Sequence, residues 1–372
     1  MQSNHPLSED PGSSPLRWSV IPVVTLVVAI VSMVVGKSLI ALPGGGLAWP
    51  LFEFCVLLAG VFAAVHHADV VAHRLGEPYG TLVLTAAVTI IEVALILSIM
   101  LGGKGSPELA RDTVYAVVML VCNGLVGLCI IVGGFRYRVQ GFRMAGADAY
   151  LMVLIPFATL TMILPNATTS EGGPYFSSRQ IEFISFVTFA LYCIFLYVQT
   201  VRHRDYFLSD DGSSDPHTKP DSRRFWASIA LLVVALSGIV LLAKAFSASL
   251  EKGVAAIGAP AGVVGLVVAL LVLLPESLAA LAAARNNDLQ KSLNLALGSS
   301  LATIGLTIPV VGIVSIVTGQ RLVLGLEYRE IVMLVLTFAV SIVTFRGGQT
   351  NILPGFVHLV LMATAAFLIF VP

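Results

Sequence analysis

The chain's 372 residues are 57% hydrophobic and only 11% charged, against about 25% charged in a typical soluble domain, which excludes a water-soluble globular protein. Its 21 basic and 21 acidic residues cancel, so neither nucleic acid nor an acidic surface is indicated as a partner. What remains is the lipid bilayer.

A helix that crosses the hydrocarbon core needs roughly 20 apolar residues, and such runs recur from Trp18 to the C-terminus. They are continuous, as in Leu231-Leu232-Val233-Val234-Ala235-Leu236, whereas barrel strands would show alternating segments of about ten residues. The chain therefore reads as an all-α multi-pass protein. Residues 1–17, rich in Ser and Pro, read as a disordered tail. The first apolar run, 18–36, is too long for a signal-peptide core and lacks a cleavage site, so it reads as a retained first helix followed by a loop to residue 48. Further spans follow at 49–71, 79–101, 112–134, 147–165, 180–201, 225–246, 257–282, 292–318, 330–345 and 353–371, eleven in all. Cys55, Cys122, Cys129 and Cys193 sit inside these runs, without metal-knuckle or disulfide spacing, and read as buried hydrophobes.

The longest polar connector, 202–224, contains Ser209-Asp210-Asp211-Gly212-Ser213-Ser214-Asp215-Pro216, a turn-rich stretch that reads as a disordered cytoplasmic linker. It separates 49–201 from 225–372, each with five spans. An odd number makes the two halves enter the membrane from opposite sides, as in inverted-repeat transporters. The expected architecture is thus a ten-helix core of two inverted five-helix repeats, preceded by one extra helix. With the N-terminus inside, thirteen Lys and Arg fall in cytoplasmic segments and eight outside, the bias that short cytoplasmic loops show; the C-terminus is then outside.

Each half carries one acidic residue on its second span and a small polar cluster on its third. These are Glu92 with Asn123-Gly124, and Glu276 with Gly298-Ser299-Ser300. A carboxylate at mid-membrane costs at least a few kcal/mol, so function is the first hypothesis for both. The competing role is a protonated glutamate hydrogen-bonded between helices. Thr81, Thr85, Thr89 and Glu92 step by four, four and three and so share a helix face, where Thr85 and Thr89 can line an ion path, although threonines also bond back to the preceding turn. Beside Glu276, Pro275 lacks an amide proton and clashes with the Leu271 carbonyl, which predicts a kinked or broken helix whose freed carbonyls add hard oxygen ligands. Asn123, Ser299, Ser300 and Thr303 are further candidates for the ion path, with interhelical hydrogen bonding as their alternative role; Gly127 and Gly298 read as packing devices. A carboxyl withdrawn from water holds its proton more tightly, while a bound cation expels it. Proton and cation thus compete for the same oxygens, which is all that exchange requires.

A second cluster, His66, His67, Asp69, His73, Arg74 and Glu77, lies at the cytoplasmic end of the second span. Helical steps of three and four relate His66, Asp69 and His73, a spacing open to pH sensing, proton entry or a transition metal. A solvated helix end is the simpler reading, because no Cys or further carboxylate completes a metal shell.

These segments resemble a known family. They are His66-His67-Ala68-Asp69, Ala72-His73-Arg74-Leu75-Gly76-Glu77-Pro78-Tyr79-Gly80-Thr81-Leu82, Val88-Thr89-Ile90-Ile91-Glu92-Val93-Ala94-Leu95-Ile96, and Leu274-Pro275-Glu276-Ser277-Leu278-Ala279-Ala280 together with Ser292-Leu293-Asn294-Leu295-Ala296-Leu297-Gly298-Ser299. The chain is similar over nearly its whole length to the cation/proton exchanger branch of the calcium/cation antiporter superfamily, most closely its bacterial ChaA-type Ca²⁺/H⁺ antiporters. The resemblance implies two inverted five-helix repeats and exchange of cytoplasmic Ca²⁺, in some members Na⁺ or K⁺, for external protons, in a bacterium across the inner membrane. Many members carry Gly-Asn before each glutamate, where this chain has Val88-Thr89 and Val272-Leu273, so fewer amide oxygens are on offer to a divalent ion. No phosphate-binding glycine-lysine loop occurs, so no nucleotide and no cofactor beyond the transported ions is expected. A Na⁺(K⁺)/H⁺ antiporter without Ca²⁺ transport, a passive cation channel and a membrane enzyme stay open at this point, as does the oligomeric state.

Overall fold

The computed structural model describes residues 16–40, 45–75, 79–101, 107–208, 221–256, 258–260 and 262–371. In chain order these form α1 (Leu16–Ile40), α2 (Gly45–Leu75), α3 (Tyr79–Leu101), α4 (Leu109–Met119), α5 (Val126–Tyr137), α6 (Met144–Ala158), α7 (Ser178–Tyr197), α8 (Ser222–Ala256), α9 (Gly262–Arg285), α10 (Leu289–Ala302), α11 (Ile308–Thr318), α12 (Tyr328–Phe345) and α13 (Ile352–Phe370). Two pairs make single spans. A wide π turn, Leu120–Leu125, joins α4 to α5, and another, Thr303–Thr307, joins α10 to α11. Among the described residues ten helices are long and apolar enough to cross a membrane; α3, 23 residues with Glu92 as its single charged side chain, supplies the eleventh expected span. Beyond α1, five spans lie in each half, and the halves run through the membrane in opposite senses, as an inverted repeat requires.

The helices start where local chemistry satisfies their first amides. Ser177 and Gln180 cap α7 reciprocally, Glu327 and Glu330 do the same for α12, and Asp288 accepts from the Lys291 amide at the head of α10. Outward faces are apolar, with Val27 and Val34 on α1, Phe183 and Phe186 on α7 and Val343 on α12 exposed. Such faces need lipid rather than water.

The chain packs as two units. The first contains α1, α2, the start of α3 and α8 as far as Leu242. There the extra helix α1 lies along α2, and two glycines let it close in: a Cβ on Gly60 would stand 2.9 Å from the Thr25 side chain, and one on Gly238 2.8 Å from the Leu26 amide nitrogen. The second unit holds the rest and interleaves the two halves. α4 packs on α9, α5 on both α9 and α13, α6 on α10 and α12, and α7 on α11. Its interior is filled by Met119, Tyr150, Leu154, Phe157, Met162 and Phe345, all essentially inaccessible. A short antiparallel pairing of β1 (Gln140–Gly141) with β2 (Gln349–Thr350) ties a loop of one half to a loop of the other.

Several expectations change. α9 continues unbroken through Pro275: the proline removes one backbone bond, while Leu271, Val272 and Leu273, in the turn before it, are buried and hold that turn in place. The irregular backbone lies instead in the companion spans, and the turn at Thr303–Thr307 is followed at once by Pro309, which cannot donate to a carbonyl of the preceding turn. The start of the linker is also packed: Phe207 is buried edge-on against Tyr150 and Phe195 at ring distances of 5.4 and 6.0 Å, while residues 209–220, and the tail 1–15, lie outside the described residues. Of the small residues expected to bring helices together, Gly127 does so, since a Cβ there would be 3.0 Å from the Gly355 carbonyl oxygen, but one on Gly298 would meet only Tyr150, at 3.7 Å.

Gly127→Ala should therefore destabilise the purified protein by about 1–3 kcal/mol, the usual penalty of overpacking, and Gly298→Ala by less than about 0.5 kcal/mol, as at an unstrained position. Thermal unfolding in detergent compares the two directly.

Candidate functional site

The second unit brings Glu92 of α3 to the wide turn between α10 and α11. Glu92 is only 2% exposed, and its Oε2 accepts a hydrogen bond from the Thr303 hydroxyl at 2.8 Å. The π turn explains the aim of that hydroxyl, because one extra residue rotates the following side chains relative to a regular helix. Thr307, one turn on, is also close enough to act on the Glu92 carboxylate, as is Glu276 of α9. Ser300, Thr303 and Thr307 follow steps of three and four and share one face of this span.

The electrostatics of the group are one-sided. Among the described residues neither Glu92 nor Glu276 has a Lys, Arg or His partner. Withdrawing a carboxylate from water, fully as for Glu92 or in part as for Glu276, without counter-charge is unfavourable unless it carries a proton or a cation. The oxygen inventory points the same way: Glu92 Oε1, Glu276 Oε2, Ser300 Oγ and Thr307 Oγ1 are all buried without a hydrogen-bond partner, whereas buried polar atoms in native proteins are nearly always paired. Carboxylate and hydroxyl oxygens are the ligands of hard cations such as Na⁺, K⁺ and Ca²⁺, and there is no thiolate or imidazole here for a soft metal. Chemically, the arrangement can hold a proton on each carboxyl or a desolvated cation between them.

The two glutamates are unequally served. Glu92 accepts from the Thr303 hydroxyl of the opposite half, while Glu276 Oε2 has no hydrogen-bond partner among the described residues.

The other predicted site residues are distributed as follows. Thr89 is buried one turn before Glu92, and the side chain of Thr85 lies outside those described. Pro275 is buried within α9, and Ser299 is partly exposed on α10. Asn123 takes its alternative role: its amide is bonded to Thr337 at 2.8 Å and to His358 at 3.1 Å, across helices.

His66, His67, Asp69 and His73 belong to the first unit. There His66 stacks on Trp18 at 4.7 Å, and His67 Nε2 bonds the Trp18 carbonyl at 2.9 Å while its Nδ1 meets Ser228 Oγ at 3.4 Å. These histidines join α2 to α1 and α8. Asp69 and His73 pair with each other at 3.5 Å, and Glu77 lies outside the described residues. No group of three His, Cys, Asp or Glu side chains able to hold a metal occurs among the described residues.

Sequence reasoning passed over two buried polar residues. Glu53 of α2 is 2% exposed and accepts from Trp49 Nε1 at 2.8 Å; the signal was available, an acid inside the apolar run Leu51 to Val56. His358 of α13 was likewise a lone titratable residue in an apolar helix. Thr307, the next step of the Ser299, Thr303 series, is buried on the same span.

Comparison with known proteins gives four consistent matches. The family model described as sodium/calcium exchanger protein matches residues 46–201 and 227–371. The protein y4hA of Sinorhizobium fredii is 44% identical over 361 residues, covering 96% of this chain and 98% of that one. The sodium-potassium/proton antiporter ChaA of Escherichia coli is 38% identical over 320 residues, covering 84% and 86%. The solved structure of native YfkE superposes with a TM-score of 0.72 at 17% identity, covering 94% of this chain and 100% of that one; its selenium-substituted form is described as a Ca²⁺/H⁺ antiporter.

Thr303→Val should raise the cation concentration needed for half-saturation about tenfold or more, since a hydrogen bond to a charged group is worth roughly 1.5–3 kcal/mol, while Thr303→Ser should stay near wild type. Calorimetric titration of the purified protein with each cation measures this.

Proposed function

The chain belongs to the sodium/calcium exchanger protein family, and from that premise we propose that it is a secondary active cation/proton antiporter, a carrier and not an enzyme, that moves cytoplasmic Ca²⁺, and Na⁺ or K⁺, outward in exchange for protons. The observation that carries the reading is the pair of carboxylates, Glu92 buried and Glu276 partly buried, with no basic partner among the described residues and with Thr303 bonded to the first of them. Such a pair is stable when protonated or when cation-bound, and unfavourable when bare. If the carrier reorients only in the first two states, a gradient of protons drives the cation uphill. No cofactor is needed.

The working orientation is N-terminus inside and C-terminus outside, from the excess of Lys and Arg in the segments that this places in the cytoplasm, in a bacterium across the inner membrane. A reading restricted to Na⁺ and K⁺ is favoured by one feature: the groups nearest Glu92 are hydroxyls, with the amide of Asn123 spent on His358 and Thr337. Divalent ions usually take six to eight oxygens, several of them charged or carbonyl. The cluster at His66 and His67 is a candidate for pH sensing; an unshifted pH profile of exchange in the His66→Gln, His67→Gln protein would remove it.

Inverted vesicles containing the wild-type chain should dissipate a preformed proton gradient when Ca²⁺, Na⁺ or K⁺ is added, and Glu92→Gln or Glu276→Gln should bring that response to background; full activity in either variant refutes the assignment. Because the proton competes with the cation, the half-saturating cation concentration should rise as pH falls and level off in alkali. A value independent of pH would count against shared carboxylates.

A further inference from the structure

A second buried polar network lies apart from the two glutamates. His358 of α13, Asn123 in the turn between α4 and α5, and Thr337 of α12 are each 0% exposed. The hydrogen bonds among them fix one another's direction. Asn123 Nδ2 meets Thr337 Oγ1 at 2.8 Å, and the Thr337 hydroxyl donates its own proton to the Met333 carbonyl, also at 2.8 Å, so Thr337 must accept from the amide. Asn123 Oδ1 is then the atom that faces His358 Nδ1 at 3.1 Å, and Nδ1 must be the donor. Nε2 is left as an acceptor and takes the Thr344 hydroxyl at 3.0 Å. The network assigns His358 as a neutral ring with its proton on Nδ1.

Packing holds the ring in place. The Gly127 contact with the Gly355 carbonyl brings α5 onto α13, and a Cβ on Gly127 would be 3.1 Å from the His358 Cβ. α13 has no other titratable side chain, and among the described residues no salt bridge involves His358.

The placement mirrors the ion site. Glu92, from the first half, is bonded to Thr303 in the wide turn of the second half's third span. His358, from the second half, is bonded to Asn123 in the wide turn of the first half's third span. Wide turns are where helices bend, and half-helices of this kind move in alternating access. We propose that His358 is a positioning residue for ion exchange: it clamps Asn123, and through it the turn Leu120–Leu125, against α12 and α13, so that this half's hinge moves as one piece. The inference rests on the exchange reading above.

In vesicles, His358→Ala should lower the maximal exchange rate about tenfold, the scale of one buried directional hydrogen bond, while leaving the half-saturating cation concentration within about twofold, because neither glutamate is touched. Asn123→Ala should show the same loss, the double variant no further loss, and His358→Gln, whose amide can donate to Asn123 and accept from Thr344, should recover most of the rate. An unaffected rate in His358→Ala, additive losses in the double variant, or a shift in half-saturation instead of rate would overturn the proposal. Should His358→Ala not fold, Asn123→Ala and His358→Gln decide: a tenfold loss in the first with a near-native rate in the second supports it, and any other pair of results overturns it. Absence of exchange in the wild type overturns the exchange reading and this inference together; normal exchange, lost in Glu92→Gln, with a normal His358→Ala overturns the inference alone.

Discussion

Two intramembrane carboxylates, Glu92 buried and Glu276 partly buried, without a counter-charge among the described residues are the constraint on which the rest of this molecule turns. Glu92 and Glu276 sit on spans that are otherwise apolar, and no basic side chain among the described residues neutralises them. A soluble protein would avoid the arrangement or pair it. Here a proton or a cation from solution would supply the missing charge, and the proposed exchange rests on that requirement. The interleaving of the halves follows from it: the hydroxyl that supports the carboxylate of one half is carried by the third span of the other.

The two halves are related by topology and differ in chemistry. The turn at Thr303–Thr307 supplies the Thr303 hydroxyl to Glu92, while the corresponding span of the first half turns Asn123 toward His358 and Thr337. Glu276 Oε2 has no hydrogen-bond partner among the described residues. An inverted repeat in which one carboxylate is hydroxyl-supported and the other is not can load its proton and its cation at different sites. Inequality of the two sites is thus built into side chains and does not need a break at Pro275.

Much of this was legible in the sequence because the bilayer imposes simple rules. Length and continuity of apolar runs determine spans, an odd number of spans per half determines the inverted repeat, and an acid in an apolar helix stands out by its cost. The span count and the choice of Glu92 and Glu276 as candidates came from such rules, and Thr303, a candidate from its place on the companion span, is bonded to Glu92. What was hidden depends on rotation about a helix axis. A π turn has no reliable residue signature beyond a following proline such as Pro309, and it decides which way Thr303 and Asn123 point. The break predicted at Pro275 failed for a related reason, since a proline removes one bond locally while the buried turn before it, Leu271 to Leu273, keeps its packing. The histidines at 66 and 67 looked like a titratable cluster and are in addition the contacts that fasten α1 and α8 to α2.

Proton release on cation binding is the most direct measure of the central claim that cation and proton share the two carboxylates. Purified protein in weakly buffered detergent solution, titrated with Ca²⁺, Na⁺ or K⁺ under a pH electrode, should release protons in a saturable way, and the release should vanish when Glu92 and Glu276 are both replaced by Gln. Saturable cation binding without proton release, or release that survives loss of both glutamates, would contradict it.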